Sequence, residues 1–171
     1  MKFDPSLVYG ICSSPSIAPL GTLCLAATDR GLAGMWFEGQ RHSPDRSGWT
    51  LCADIRQQPV LQAASEQLQA YFAGTLQQFD LPFDLRGGTD FQQAVWQALL
   101  RIPYGETTSY GQLSTRIGKP RAVRAVGTAI GRNPISVIVP CHRVLGADGS
   151  LTGYAGGLDR KLALLTLEGV L

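Results

Sequence analysis

Residues 136 to 143, Ser-Val-Ile-Val-Pro-Cys-His-Arg, constrain this chain more than any other stretch. The run Val137-Ile138-Val139 reads as a short strand buried on both faces. Pro140 has no amide hydrogen to give to a ladder, so it ends the strand and holds Cys141 at a fixed turn. A thiol, an imidazole and a guanidinium then follow without a gap. Free cysteines are among the most often buried residues. The octapeptide alone therefore leaves two readings open: a rigidly placed reactive thiol, or a small buried hydrophobe whose neighbours His142 and Arg143 solvate the strand end. Two features elsewhere favour the first, an acid near the C-terminus, Glu168, and a basic segment ahead of the strand.

With 171 residues, 44% of them hydrophobic, the chain has the composition of a globular protein with a real core, as one compact unit or two small ones. No apolar run approaches the roughly 18 residues of a spanning helix, and the start Met1-Lys2-Phe3-Asp4-Pro5 lacks the apolar core of a signal peptide. A soluble, cytoplasmic protein is expected. Cys12, Cys24, Cys52 and Cys141 form no Cys-x-x-Cys pair, and without a secretory signal they do not imply disulfides. The net charge of +2 hides an uneven distribution. Between Arg101 and Arg143 the one acid is Glu106, against Arg101, Arg116, Lys119, Arg121, Arg124, Arg132 and Arg143. Such a stretch is either a footprint for a polyanion or a solvated face balanced by acids elsewhere.

The pattern divides into two lobes, residues 1–86 and 87–171, with Arg86-Gly87-Gly88 at the boundary. Residues 21 to 38 read as a β-hairpin turning at Asp29-Arg30-Gly31, and Pro59 to Phe72 as a helix ended by Gly74. Leu76 to Leu85 reads as a further short strand. From Thr89 onward helices dominate. Thr89 or Asp90 caps the first, whose apolar face carries Phe91, Val95, Trp96, Leu99 and Leu100. Thr108 or Ser109 caps a second with Tyr110, Leu113 and Ile117, and Gly118-Lys119-Pro120 separates it from a third running from Arg121 to about Gly131. Helix, glycine-containing turn and helix make a helix-turn-helix. The third helix is rich in small residues, among them Ala122, Ala125, Gly127 and Ala129, which suits close approach to a nucleic acid or to a neighbouring helix. A last helix over Asp159–Glu168 turns Leu162, Leu165 and Leu164 inward. Glu168 in its final turn opposes the helix dipole, so it is a surface acid or is held by a partner. The fold class expected is an α/β N-terminal lobe, a small antiparallel sheet plus a helix, with a mainly helical C-terminal lobe containing a winged-type helix-turn-helix.

Four motifs in order, Ile102-Pro103-Tyr104-Gly105-Glu106, Asn133-Pro134, Pro140-Cys141-His142-Arg143 and Gly153-Tyr154-Ala155-Gly156-Gly157, closely resemble the O6-alkylguanine-DNA alkyltransferases. The resemblance covers roughly Thr89 to Gly169. In the N-terminal lobe it is looser, resting on length, on the Ser16-to-Gly21 segment and on Tyr71-Phe72-Ala73-Gly74 closing its helix.

The resemblance implies direct reversal of DNA damage, in which the alkyl group on guanine O6 passes irreversibly to Cys141. A thiol near its ordinary pKa is only a few per cent thiolate at neutral pH. His142 is then expected to relay the proton away through water, with Glu168 orienting the imidazole. Tyr110 is implied as donor to the leaving base and Arg124 as the residue that fills the stack it vacates, since the target atom is reached only by extruding the base. Arg121, Ala125 and Arg132 join Tyr110 and Arg124 in the expected DNA surface, which the family lays in the minor groove. Val139, Tyr154, Ala155 and Gly156 are implied walls of the guanine pocket, and Asn133 the hinge between recognition helix and active-site strand. Some relatives carry a serine where this chain has Ala155, so that one side-chain bond to the guanine oxygen is lost. No cofactor is implied. Some relatives hold structural zinc in the N-terminal lobe, but Cys12, Cys24 and His42 lack ligand spacing, and no metal is expected.

The expected partner is double-stranded DNA carrying O6-alkylguanine, with O4-alkylthymine as a second lesion. No membrane partner is expected. The protein is expected to be a monomer in solution, with cooperative assembly on DNA left open, and to associate with the nucleoid when bound. Two rival readings are a Cys-dependent hydrolase, for which no oxyanion hole is evident, and a lesion-binding module without transfer activity, a class that lacks the cysteine present here.

Overall fold

The computed structural model describes residues 6–13 and 20–171. Residues 1–5, and residues 16–19 of the Ser16-to-Gly21 segment, therefore lie outside the described residues. The expected hairpin is present as β2 (Thr22–Thr28) and β3 (Gly31–Phe37), with Leu23 paired to Phe37 and Thr28 to Gly31. On the other side of β2 lies β1 (Val8–Ser13), antiparallel to it, and the two-residue β4 (Thr50–Leu51) then runs parallel to β1. The sheet order is β3-β2-β1-β4, mixed rather than purely antiparallel. Helix α1 (Pro59–Phe72) starts with proline in its first turn, where a missing amide hydrogen costs nothing, and packs Leu61, Ala64 and Leu68 against the sheet. Gly74 stops it in a left-handed conformation, φ 74°.

The first two helices of the C-terminal lobe have the expected caps. Helix α2 (Asp90–Leu99) opens on a capping box between Thr89 and Gln92, and α3 (Tyr110–Arg116) on another between Ser109 and Gln112. Helix α4 (Val123–Gly131) starts two residues later than its pattern predicts, so Arg121 lies in the preceding turn. No side chain caps it, because Ala122 occupies the cap position and has no acceptor to offer. Trp96 is fully buried, and its indole nitrogen donates to the Ala129 carbonyl at 2.9 Å, fastening α2 to α4. Two-residue strands β5 (Thr108–Ser109) and β6 (Val144–Leu145) pair in parallel. That ribbon brings the entry to α3 against the residues that follow the Cys-His-Arg run.

Two expected strands are absent. Residues 76–85 are irregular apart from a single bridge between Phe83 and Leu32. Residues 136–139 form turns, with Val137 at φ 67°, and Cys141–Arg143 is one turn of 3-10 helix. The β-branched run is buried as expected, but burial does not require extension. Ile138 donates back to Ser136 at 2.8 Å and Val139 to Ile135 at 3.0 Å, so local turns supply the bonds a sheet neighbour would. Ile135 alone bridges the sheet, at Met35 of β3.

The outer edge of β3 is closed by both segments. Leu32 exchanges hydrogen bonds with the 82–84 segment, and Met35 donates to Pro134 O at 2.8 Å while its carbonyl accepts from Ser136 N at 3.0 Å. An edge that would otherwise present unpaired amides anchors the chain just before the cysteine turn. Helix α5 (Leu158–Leu167) also differs in its inward face. Leu162 is 45% exposed, and the buried positions are Lys161, Leu164 and Leu165. No helix among the described residues is long and apolar enough to cross a membrane.

Gly31 sits at φ 151°, and a Cβ there would collide with the backbone carbonyl of Pro82 at this same edge. Gly31→Ala is expected to destabilise the protein by about 1–3 kcal/mol, measured by denaturant titration; an unchanged midpoint would mean the 82–84 segment is free to move aside.

Candidate active site

The cysteine turn is assembled by one amide. Asn133, buried just after α4, accepts from Ile135 N at 3.0 Å through Oδ1. Its Nδ2 faces Val139 O at 2.8 Å, Cys141 Sγ at 3.1 Å and Ile135 O at 3.3 Å. A primary amide offers two donors and an acceptor in one plane, which is what a chain doubling back within eight residues requires. Asn133 thus joins the end of α4 to the thiol, the place a hinge between them would occupy.

Cys141 is 4% exposed. Burial pushes its thiol up to about 11, against the opposing pull of the Asn133 hydrogen bond and the Lys161 charge. His142 is fully buried, and burial pulls its pKa below the ordinary value despite the hydrogen bond and charge of Glu168. Its Nε2 lies 3.0 Å from Glu168 Oε1. An ionised carboxylate can only accept, so Nε2 carries the proton and Nδ1 the lone pair. Among the described residues that buried Nδ1 meets no protein hydrogen-bond partner.

Glu168 is no surface acid. It is 5% exposed at the C-terminal end of α5, where neither solvent nor the helix dipole favours its charge. Burial opposes its ionisation, but hydrogen bonds from His142, Arg143 and Tyr71 outweigh this and bring its pKa down to about 2. Arg143 supplies a two-pronged grip, Nε to Oε2 at 2.8 Å and Nη2 to Oε1 at 2.7 Å, and its Nη1 donates to Ile102 O at 2.6 Å. Arg143 therefore leaves the polyanion footprint to which its charge assigned it. It is buried, and its charge is spent on Glu168.

The remaining basic residues of that stretch, Arg101, Arg116, Lys119, Arg121, Arg124 and Arg132, are exposed, and so is Ala125. Among the described residues no ion pair engages them. Arg124 and Ala125 lie on the outer face of α4, and Arg132 caps its C-terminal end. Tyr110, the first residue of α3, sits beneath this surface. Its ring would meet a side chain at Gly127, and its hydroxyl lies 3.2 Å from Thr152 O and 3.3 Å from Gly153 O. Burial first, and then the nearness of Cys141, raise its pKa, which keeps it a proton donor.

Tyr154, Ala155 and Gly156 line a cleft of about 380 Å³ whose opposite wall is Gly39, Gln40 and Arg41. Arg41 N donates to Ala155 O at 3.0 Å, so the N-terminal lobe holds this wall. The Tyr154 hydroxyl is buried without a protein partner among the described residues, and Val139 is fully buried beside the cysteine turn.

Two further side chains adjoin these groups and were not among the site residues read from sequence. Lys161 is wholly buried, its Nζ donating to Val144 O at 2.6 Å and Thr152 O at 2.7 Å, and burial brings its pKa down to about 8. Its position three and four residues before Leu164 and Leu165 puts it on the inward face, and that spacing is the available signal. Tyr71, from α1, donates to Glu168 Oε1 at 2.6 Å. Nothing in its helical pattern separates it from an ordinary core tyrosine.

Because the folded pKa of Glu168 lies below its ordinary 4.5, the carboxylate contributes stability that is fully present above about pH 4.5 and is lost as pH falls toward 2. Acid unfolding of the unmodified chain is expected to steepen in that window, and in Glu168→Gln the slope there should flatten while stability at neutral pH falls by about 3–5 kcal/mol, since Arg143 is left buried and unpaired. Denaturant melts across pH 2 to 7 check both.

Comparison with known proteins places this geometry. Residues 7–85 match the family described as 6-O-methylguanine DNA methyltransferase, ribonuclease-like domain, and residues 90–170 the corresponding DNA binding domain. The chain is 53% identical over 151 residues, 88% of each chain, to the methylated-DNA--protein-cysteine methyltransferase of Mycolicibacterium paratuberculosis. It is 49% identical over 152 residues to that of Methanosarcina barkeri, spanning 88% of this chain and 92% of that one. Among solved structures, Mycobacterium tuberculosis OGT in complex with DNA superposes with a TM-score of 0.83 at 51% identity, covering 94% of this chain and 92% of the other. With both lobes matched in order and half of the residues identical across them, the chain belongs to the 6-O-methylguanine DNA methyltransferase family.

Proposed function

We propose that this protein repairs O6-alkylguanine in duplex DNA by transferring the alkyl group to Cys141, once per molecule. The observation that carries the reading is the hydrogen bond of His142 Nε2 to Glu168, which leaves the lone pair of Nδ1 to accept the proton of the neighbouring thiol, through one water. Lysed of its proton, Cys141 attacks the alkyl carbon in line. The sulfur–carbon bond forms as the carbon–oxygen bond to guanine O6 breaks, and the thiol proton is returned to the departing base through His142 or Tyr110. The product thioether has no leaving group that mild hydrolysis could displace, which makes the reaction stoichiometric.

In this reading Tyr110 turns its hydroxyl from the Thr152 and Gly153 carbonyls to the extruded base, and Arg124 takes the place that base vacates. Val139, Tyr154, Ala155 and Gly156 form the pocket, where the Ala155 amide serves in place of a serine hydroxyl. Arg121, Ala125 and Arg132 lie along the DNA, and a helix surfaced with small residues suits the minor groove. Residues 1–86 act as a supporting lobe and residues 87–171 as the DNA-binding and transfer domain. The protein is a monomer in solution, acts in the cytoplasm and is nucleoid-associated while bound, and O4-alkylthymine is its second candidate lesion.

Incubation with a duplex holding one O6-methylguanine is expected to add a single methyl to Cys141, read by intact mass and peptide mapping, saturating at one per molecule and absent in Cys141→Ser. A chain that binds the lesion and stays unmodified would instead be a recognition module, and one that cleaves peptide or ester substrates a hydrolase. Arg124→Ala is expected to slow transfer from a paired lesion by about tenfold or more, for an extrusion cost of a few kcal/mol, and to leave transfer from the free methylated base unchanged. Single-turnover rates on the two substrates check this.

A further inference from the structure

The hydroxyl of Tyr71 comes from the N-terminal lobe and ends on the carboxylate that serves His142, 97 positions later in the chain. The two oxygens of Glu168 are loaded unequally. Oε1 faces three side chains, Tyr71 at 2.6 Å, Arg143 Nη2 at 2.7 Å and His142 Nε2 at 3.0 Å. Oε2 takes Arg143 Nε at 2.8 Å and, more distantly, Gly105 N at 3.4 Å. The shortest of these bonds thus lands on the oxygen that faces the imidazole. We propose that Tyr71 is a positioning residue of the alkyl-transfer centre: its hydroxyl shares Oε1 with His142, and the N-terminal lobe thereby governs how strongly the carboxylate draws on the imidazole proton.

A carboxylate oxygen already engaged in a short O–H bond is a weaker acceptor for a further donor. Tyr71 therefore moderates Glu168, keeping it ionised while limiting its pull on His142, so the imidazole rests neutral with its lone pair free. Burial, together with the adjacent Glu168 charge, raises the Tyr71 pKa far above the ordinary phenol value, so the hydroxyl remains a donor throughout. The groups around His142 are Glu168 and Lys161 from α5 and its end, Cys141 and Arg143 from its own turn, Tyr71 from α1 and Tyr104 from the turn before β5. Tyr71→Phe alters one of them and keeps the aromatic contacts with Phe72, Phe79 and Tyr104.

The inference rests on the transfer reading for its consequence, but its test does not. The chain has two histidines, so imidazole nitrogen spectra of the full-length protein resolve His142 with exposed His42 as an internal reference. In Tyr71→Phe the His142 titration midpoint is expected to rise by about one pKa unit, a tenfold gain in proton affinity, with His42 unmoved. The pH midpoint of transfer from an O6-methylguanine duplex should move in the same direction, with lesion affinity unchanged. Phe79→Leu, which removes a ring contact at 5.2 Å and spares the hydrogen bond, should leave His142 where it is. In the unmodified chain the Tyr71 hydroxyl proton should give a slowly exchanging downfield resonance, a measurement that needs no variant to fold. An unmoved midpoint in Tyr71→Phe, an equal movement in Phe79→Leu, or no such resonance overturns the proposal. A protein that titrates as expected and transfers no alkyl group keeps Tyr71 in its role and removes the proposed function.

Discussion

The carboxylate of Glu168 holds the centre together. An ionised group removed from water is costly unless every lone pair finds a donor. Here the donors come from three separate stretches: Arg143 and His142 from the cysteine turn, Tyr71 from α1, and the Gly105 amide from the turn before β5. Arg143 extends the same network to the Ile102 carbonyl, and Tyr104 fastens the Leu167 carbonyl at 2.9 Å. The cysteine turn, α1 and the 102–105 turn are thus tied to one anion at the end of α5. Loss of any one donor weakens the compensation of a carboxylate that is 5% exposed, so the arrangement is held far more tightly than an exposed ion pair of equal length would be.

Around that fixed ion pair the thiol of Cys141 and the imidazole of His142 rest uncharged. Burial raises the Cys141 thiol and depresses His142, so thiol and neutral imidazole are the ground state. Holding thiolate and imidazolium there at rest would bury two more charges beside Arg143, Glu168 and Lys161. In the proposed transfer the charges develop only as the proton moves, with Glu168 already bonded to the imidazole, the Asn133 amide to the sulfur, and the Lys161 charge near enough to favour the thiolate. Preorganised dipoles and ions of this kind stabilise charge as it forms without first having to reorient.

Much of this was legible in the sequence, because the informative residues are ones whose chemistry is local. Pro140 announces a break, Thr89 and Ser109 announce helix starts, and the amide of Asn133 suits a chain that doubles back. The misreadings share another origin. Val137, Ile138 and Val139 carry the composition of a strand, but composition reports burial, and the Asn133 amide with two backward-reaching amides meets the hydrogen-bonding need that a sheet would otherwise meet. Arg143 reads as one more positive charge in a basic stretch until folding brings Glu168 to it from 25 residues away. Leu162 and Lys161 exchange faces by a single residue of helical phase, which a ten-residue helix does not settle on its own. Tyr71 illustrates the limit most clearly, since its significance lies in a partner at the far end of the chain.

The C-terminal lobe encloses some polar groups and exposes others. Cys141, His142 and Glu168 are enclosed, while Arg124 on α4, Arg132 at its C-terminal cap and Arg121 in the turn before it stand in solvent. Between the exposed helix and the enclosed thiol runs a short path: α4 ends at Arg132, Asn133 follows and bonds Cys141, and Pro134 and Ser136 lock onto β3. That last contact is why the N-terminal lobe matters. An Asn133 turn attached only to α4 would move with the helix as it met a ligand. Pinned to a sheet edge on one side and to Glu168 through His142 and Arg143 on the other, the cysteine turn has a frame of reference besides α4.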